Sequence, residues 1–167
     1  MLFRSAVMVT CGDMENSNII TVAWTGVICS DPAMVYISVR PSRHSYEMIK
    51  QSKEFVINLT TEDLAYRTDW CGVKSGKDVD KFKEMNLTKQ EAEFVKCPMI
   101  AESPISLECE VVEVKDLGTH TMFIAEVVDG EVLSDDATVS YDFYQNNIKP
   151  KPEKTEKKGW RCKICGY

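Results

Sequence analysis

Two cysteines in the segment Gly159-Trp160-Arg161-Cys162-Lys163-Ile164-Cys165-Gly166-Tyr167 are separated by two residues, a spacing that lets both sulfurs point at one ion. Gly166 can take the positive φ that turns backbone N–H groups toward the sulfurs. Closed structural and electron-transfer sites take four such ligands, so Cys162 and Cys165 supply half of one. The same spacing fits a zinc-ribbon fragment or a tail with two free thiols. A thioredoxin-like redox pair is disfavoured, because that motif opens a helix after a strand and this one follows a charged stretch. A second group offers different chemistry. Ser42, His44, Ser45, Ser75 and Lys81 carry the hydroxyls and cations from which an anion pocket is built, with Arg40 and Arg43 alongside. Ser45, at the start of an expected helix, adds backbone N–H groups at the favourable end of the helix dipole. Each has a plainer role open to it: Ser45 as a helix cap, Arg40 and Arg43 as solvated charges, Ser75 and Lys81 as the limits of a loop and its helix.

These groups need a scaffold, and period-two alternation supplies most of it. Ile105, Leu107, Cys109 and Val111 fall on one face and Ser106, Glu108 and Glu110 on the other, the pattern of a half-exposed antiparallel strand. His120 to Val128 reads the same way, with Leu117-Gly118 marking a hairpin between the two. Further strands are expected at Ser5 to Cys11, Ile19 to Trp24, Ala33 to Val39 and Glu54 to Leu59, with turns at Gly12-Asp13 and Ser30-Asp31-Pro32. Short helices are expected at Ser45 to Gln51, Glu62 to Trp70 and Val79 to Met85, the first capped by Ser45 and the last by Asp78. About six antiparallel strands with small helices predict a mainly β fold, a barrel rather than a parallel sheet. No G-x-G-x-x-G follows a strand, which disfavours a Rossmann nucleotide site.

The 167 residues, 44% hydrophobic and 28% charged, suffice for one well-buried core. The net charge of −6 is unevenly spread. Residues 149–167 hold seven Lys/Arg against two Asp/Glu and the remainder 13 against 24, that is +5 and −11. An acidic body argues against nucleic acid as a partner, and a basic tail can dock on an acidic surface. Lys149 to Gly159 has no apolar residue beyond its prolines and reads as a linker. No apolar run is long enough for a bilayer and the first ten residues alternate, so we expect a soluble cytoplasmic protein without a membrane partner. Cys11, Cys29, Cys71, Cys97 and Cys109 are widely spaced, as thiols serving as small core residues in a reducing compartment would be.

Four segments, in order, carry a likeness: Asn18-Ile19-Ile20-Thr21-Val22-Ala23-Trp24, then Cys29-Ser30-Asp31-Pro32, then Arg40-Pro41-Ser42-Arg43-His44-Ser45, then Ser75-Gly76-Lys77-Asp78-Val79-Asp80-Lys81-Phe82. Together they resemble the flavin reductase and flavoredoxin family across roughly residues 3 to 130, and Trp160 to Tyr167 resembles the first knuckle of rubredoxin. The two modules occur in this order in the high-molecular-weight rubredoxins. The resemblance implies an FMN-binding split β-barrel with short peripheral helices over residues 1–148, a linker over 149–159 and an incomplete rubredoxin-like part over 160–167. It also implies a homodimer with FMN near the subunit interface. Ser42, His44, Ser45 and Lys81, with Arg40, Asn58 and Ser75, are then the expected phosphate-side and cofactor-binding residues. Backbone groups of Ala23, Trp24, Thr25 and Gly26 would meet the pyrimidine edge. Asn58, on the polar side of an apolar strand, has the alternative of satisfying backbone. Gly118-Thr119-His120 matches the place where flavin reductases carry a histidine near flavin or nicotinamide, which makes His120 the catalytic candidate; a half-buried strand histidine is the alternative.

The implied activity is transfer of electrons from NAD(P)H through FMN to a rubredoxin-type iron, held only if the four-cysteine site is completed, and on to an acceptor such as a flavodiiron O2 or NO reductase. Two alternatives stay open: a flavoredoxin-like carrier without a nicotinamide site, and a flavin or ferric reductase that releases reduced flavin.

Overall fold

The computed structural model describes residues 6–138. Its main sheet is antiparallel and has seven strands: β1 (Val7–Gly12), β2 (Ser17–Val22), β3 (Thr25–Ser30), β4 (Ala33–Val39), β5 (Glu54–Asn58), β8 (Ile105–Asp116) and β9 (Thr121–Val132). They lie in the order β2-β1-β5-β8-β9-β4-β3. A two-stranded ribbon of β6 (Lys89–Gln90) and β7 (Met99–Ile100), and three helices, α1 (His44–Ser52), α2 (Ala65–Val73) and α3 (Lys81–Glu84), complete the elements. The sheet must curl, because its two outermost strands, β2 and β3, are consecutive in sequence. Only Ala23 and Trp24 separate them, so Val22 and Thr25 lie at most about 11 Å apart. Curling closes the sheet around Val9, Ile20, Ile37, Phe55, Cys109 and Phe123, one from each of six strands, and Tyr46 and Ile49 of α1 plug this interior.

Both faces of β1 and β2 are covered, which is why these strands read as nearly unbroken apolar runs. Their outward residues Met8 and Ile19 pack with Leu64, Cys71 and Phe82 from the α2–α3 region. This layer fixes the helices against the edge strand β2, and it is between them that the cleft described below opens.

The structure departs from the sequence expectations at identifiable places. Ser106 and Glu108, expected on an exposed face, are 0% and 1% exposed. The loop before β7 lies over them, and the Glu108 carboxylate accepts the backbone N–H groups of Glu93, Phe94 and Val95 at 2.9, 2.7 and 3.1 Å. A register shift follows at Glu108/Cys109, and beyond it the polar positions do face solvent. Ser45 does not cap α1: Arg43 occupies the cap position and Ser45 is buried in the first turn. Asp80 rather than Asp78 caps α3, its side chain accepting from the Lys83 N–H. Strand β3 was not expected, because Gly26 and the Ser30-Asp31-Pro32 turn mask it in the sequence. The expected hairpin at Leu117-Gly118 is present, with Gly118 at φ 90 and the Leu117 N–H donating to the His120 carbonyl. No helix among the described residues is long and apolar enough to cross a membrane.

Candidate functional site

A cleft of about 370 Å³ opens between β2, the start of α1 and the segment that runs from the end of α2 into α3. Asn18 and Ile20 line it from β2, and Ser42, Arg43, His44 and Ser45 from the turn into α1. Gly72, Lys74, Ser75 and Gly76 close the far side, and Lys81 reaches it from α3. Among the described residues its wall carries Arg40, Arg43, Lys74 and Lys81 and no carboxylate, on a chain whose net charge is −6. The α1 N-terminus enters this cleft without a capping side chain, so its dipole adds to the positive field.

Lys81 is 4% exposed, and its ammonium donates to the Ile19 and Cys71 carbonyls, both at 2.6 Å. Burial holds its pKa below the ordinary lysine value, the Arg43 guanidinium adds to this, and the nearby Cys71 and Cys11 thiols act the other way. Arg43 Nη1 donates to the Gly72 carbonyl at 3.3 Å, and Asn18 Nδ2 to Ser45 Oγ at 2.8 Å.

A second cleft of about 150 Å³ adjoins the first and shares Ile20, Arg40 and Arg43 with it. Thr21, Val22, Ala23, Trp24, Ser38, Val39 and His120 form its other walls. Trp24 is 54% exposed and its ring lies against the His120 imidazole, centroids 4.2 Å apart at 39°. Partial burial and the Arg40 guanidinium hold the His120 pKa below the ordinary imidazole value, favouring the neutral ring. Its Nδ1 lies 2.9 Å from Thr119 Oγ1.

Of the residues singled out in the sequence, Arg40, Ser42, His44, Ser45, Ser75 and Lys81 thus meet at one cleft, and Ala23, Trp24, Arg40 and His120 at the other. Thr25 and Gly26 follow in β3 but line neither: Thr25 Oγ1 donates to the Tyr36 carbonyl and Gly26 lies against the Tyr36 ring. The Trp24 carbonyl already accepts from the Ser38 N–H. Asn58 stands apart from both clefts. It is 0% exposed; Nδ2 donates to Met8 O and Thr10 Oγ1, and Oδ1 accepts from the Ile100 N–H and Ser106 Oγ. Its polar groups are used in tying β1, β5, β7 and β8 together, so the backbone-satisfying alternative describes it. Asn18, Lys74 and Gly76 line the cleft and were not among the expected site residues; Asn18 and Gly76 lie within the two outer segments of the family likeness.

Cys162 and Cys165 lie outside the described residues, and among the described residues no cluster of His, Cys, Asp and Glu is placed to hold a metal ion. The five described cysteines are free, and four are buried. Burial pushes the Cys11 and Cys71 thiols up to about 11 and Cys109 to about 12.

A curled antiparallel sheet whose end strands β2 and β3 do not pair with each other makes a split barrel. Residues 2–150 match the flavin reductase like domain, and the chain belongs to that family. It is 33% identical over 121 residues to an uncharacterized protein of Pyrococcus abyssi, covering 72% of this chain and 69% of that one. It is 27% identical over 173 residues to the high molecular weight rubredoxin of Moorella thermoacetica, covering 93% of this chain and 73% of that one. The fold superimposes on flavoredoxin of Desulfovibrio vulgaris (Miyazaki F) with a TM-score of 0.72 at 29% identity, over 79% of this chain and 72% of that one. The chain is a flavin reductase-like oxidoreductase or electron carrier.

Proposed function

We propose that the joined clefts bind FMN and that the protein is an NAD(P)H-dependent flavin oxidoreductase feeding a rubredoxin-type iron centre and, beyond it, an acceptor protein of the flavodiiron type. The observation that carries the reading is the pairing of a cationic cleft, free of carboxylates among the described residues, with an adjoining one walled by Trp24 and His120 that shares Arg40 and Arg43 with it, on an otherwise acidic chain. The donor set fits a phosphorylated flavin: hydroxyls of Ser42 and Ser45, the cations Arg40, Arg43 and Lys81, and the first N–H groups of α1 suit a phosphate dianion. Val22, Ala23 and Trp24 offer apolar contact at the other end.

FMN, when bound, accepts a hydride and can release electrons one at a time. The chain's own contribution is positioning and electrostatics. Arg40, at the junction of the clefts, sets the positive potential at both. His120, whose neutral form is favoured by the lowered pKa, can in that form donate one hydrogen bond and accept another, which suits orienting a carboxamide. Cys162 and Cys165 would provide two of the four thiolates such an iron takes. The open edge β3 exposes Val27 at 80% and Ile28 at 48%, beside Trp24; a second copy packed there would make a homodimer and cover the aromatic cleft. The buried free thiols suit a reducing cytoplasm.

Anaerobic addition of NADH to the FMN-loaded protein tests the reading: prompt bleaching of the flavin band is expected. FMN binding without bleaching would instead favour a flavoredoxin-like carrier, a second reading supported by the similarity to flavoredoxin of Desulfovibrio vulgaris.

A further inference from the structure

Apart from the two joined clefts, a groove of about 340 Å³ lies between the β1–β2 turn and the loop before β7. Asp13, Met14 and Glu15 form one wall, and Glu91, Ala92, Val95 and Lys96 the other. Both walls are braced from behind. Asp13 Oδ1 accepts the N–H groups of Glu15 and Asn16 at 2.9 and 2.7 Å, and Lys89 Nζ donates to the Met14 carbonyl at 2.8 Å. The facing loop hangs on the Glu108 carboxylate and on that of Glu54, which accepts the Lys96 N–H at 3.0 Å. Met14, Ala92 and Val95 give the groove apolar surface, and Phe94, next in the loop, is 57% exposed. Its described rim sets three carboxylates, those of Asp13, Glu15 and Glu91, against the Lys96 ammonium. Apolar surface under an acidic rim suits a segment in which cations alternate with small apolar rings.

Lys149-Pro150-Lys151-Pro152-Glu153-Lys154, outside the described residues, is such a segment, with three cations to one carboxylate. Its prolines favour an extended chain, which lowers the entropy lost on docking. The segment can reach the groove. Thr138 bridges to Thr61, and seven residues run back from Thr61 to Glu54 at the groove wall, at most about 25 Å. The bridge adds about 5 Å. The eleven residues from Thr138 to Lys149 span up to about 36 Å, which covers the distance.

We propose that this groove is the docking site for residues 149–154 of the same chain, the lysines meeting Asp13, Glu15 and Glu91 while Pro150 and Pro152 lie on Met14, Ala92 and Val95. Docking moves the tether point of Cys162 from Thr138, 24 residues before it, to Lys154, eight before it, and so holds the Cys162 and Cys165 pair close to the barrel. The groove shares no lining residue with either cleft, so the proposal stands independently of the flavin reading.

The test uses the whole chain at low salt. Trypsin cuts after Lys154 but not at the two Lys-Pro bonds, so the rate of cleavage there reports whether the segment is shielded. Glu15→Gln/Glu91→Gln should speed that cleavage about fivefold, as the loss of two exposed ion pairs allows, and high salt should do the same to the wild type. Glu84→Gln/Glu113→Gln, an equal loss of exposed charge elsewhere, should leave the rate unchanged. In parallel, the Met14 methyl resonance, assigned with Met14→Leu, should move in a Lys149→Gln/Lys151→Gln/Lys154→Gln variant and return when a peptide of residues 148–155 is added. Equal acceleration by the control pair, or a Met14 resonance that the lysine replacements leave in place, would overturn the proposal. Protection of the wild type that disappears on dilution would overturn it too, by assigning the groove to the tail of a second copy.

Discussion

Replacing Lys81 with methionine keeps much of the side chain's length and removes its charge and its donors. Lys81 Nζ donates to the Ile19 and Cys71 carbonyls at 2.6 Å each, from a side chain only 4% exposed. Hydrogen bonds to a charged group are worth about 1.5–3 kcal/mol each, and their loss strands two buried carbonyls. The opposing gain is relief of the ammonium's own desolvation, the first cause of its lowered pKa. A net loss of about 2–4 kcal/mol in stability is expected from these two effects. For binding, losing a cation from the cleft wall should cost FMN about 1.5–3 kcal/mol, roughly 10- to 150-fold, with riboflavin little changed. The pH dependence has a definite sign. With the folded pKa of Lys81 below 10.5, the unfolded chain holds more protons between the lowered value and 10.5, so this residue's contribution to stability rises with pH there. The stability difference between wild type and Lys81→Met should therefore grow toward alkaline pH. Urea unfolding at neutral and alkaline pH, with flavin titrations at neutral pH, measures each quantity. A destabilised variant with an unchanged FMN-to-riboflavin ratio would refute the electrostatic part and leave Lys81 as a tie between β2, α2 and α3.

Glu108→Gln should lower stability by about 2–4 kcal/mol by replacing a carboxylate that accepts three backbone N–H groups with a weaker acceptor, while FMN affinity stays unchanged; urea unfolding and flavin titration together check this. His120→Ala should slow NADH-driven flavin reduction about tenfold with FMN affinity little altered, measured by anaerobic stopped flow. The wild-type rate should fall on acidification below the lowered His120 pKa if the neutral imidazole is the working form. Cys11 and Cys71 titrate near 11 when folded and near 9.0 when unfolded, so unfolded thiols ionise first and their contribution to stability should fall as pH rises above about 9. A variant with both thiols replaced by alanine should lose less stability between pH 9 and pH 11 than the wild type does.

The strands were legible because alternation reports a face, and where it misled, at Ser106 and Glu108, the cause was long-range: a loop about fifteen residues away supplies the N–H groups that make a buried carboxylate tolerable. The helix near Ser45 was legible to within a residue, but its cap was not. Ser45 faces inward, where its hydroxyl accepts from Asn18, 27 positions away. The cleft cations Arg40 and Lys81 could be guessed from residue type, while Asn18 could not, since a neutral amide at the start of a strand carries no sign of what it will touch. Asn58 shows the converse: its residue type suited a ligand, and only the fold reveals that both ends of its amide are engaged by backbone and hydroxyl groups.

The central claim is that the carboxylate-free cleft receives the phosphate of a flavin nucleotide. Equilibrium titration of the purified protein with FMN and with riboflavin, at two salt concentrations, tests it most directly. FMN should bind at least about a hundredfold more tightly, as a dianion met by several charged donors requires, and the margin should narrow in high salt. Equal affinities for the two flavins, independent of salt, would contradict it.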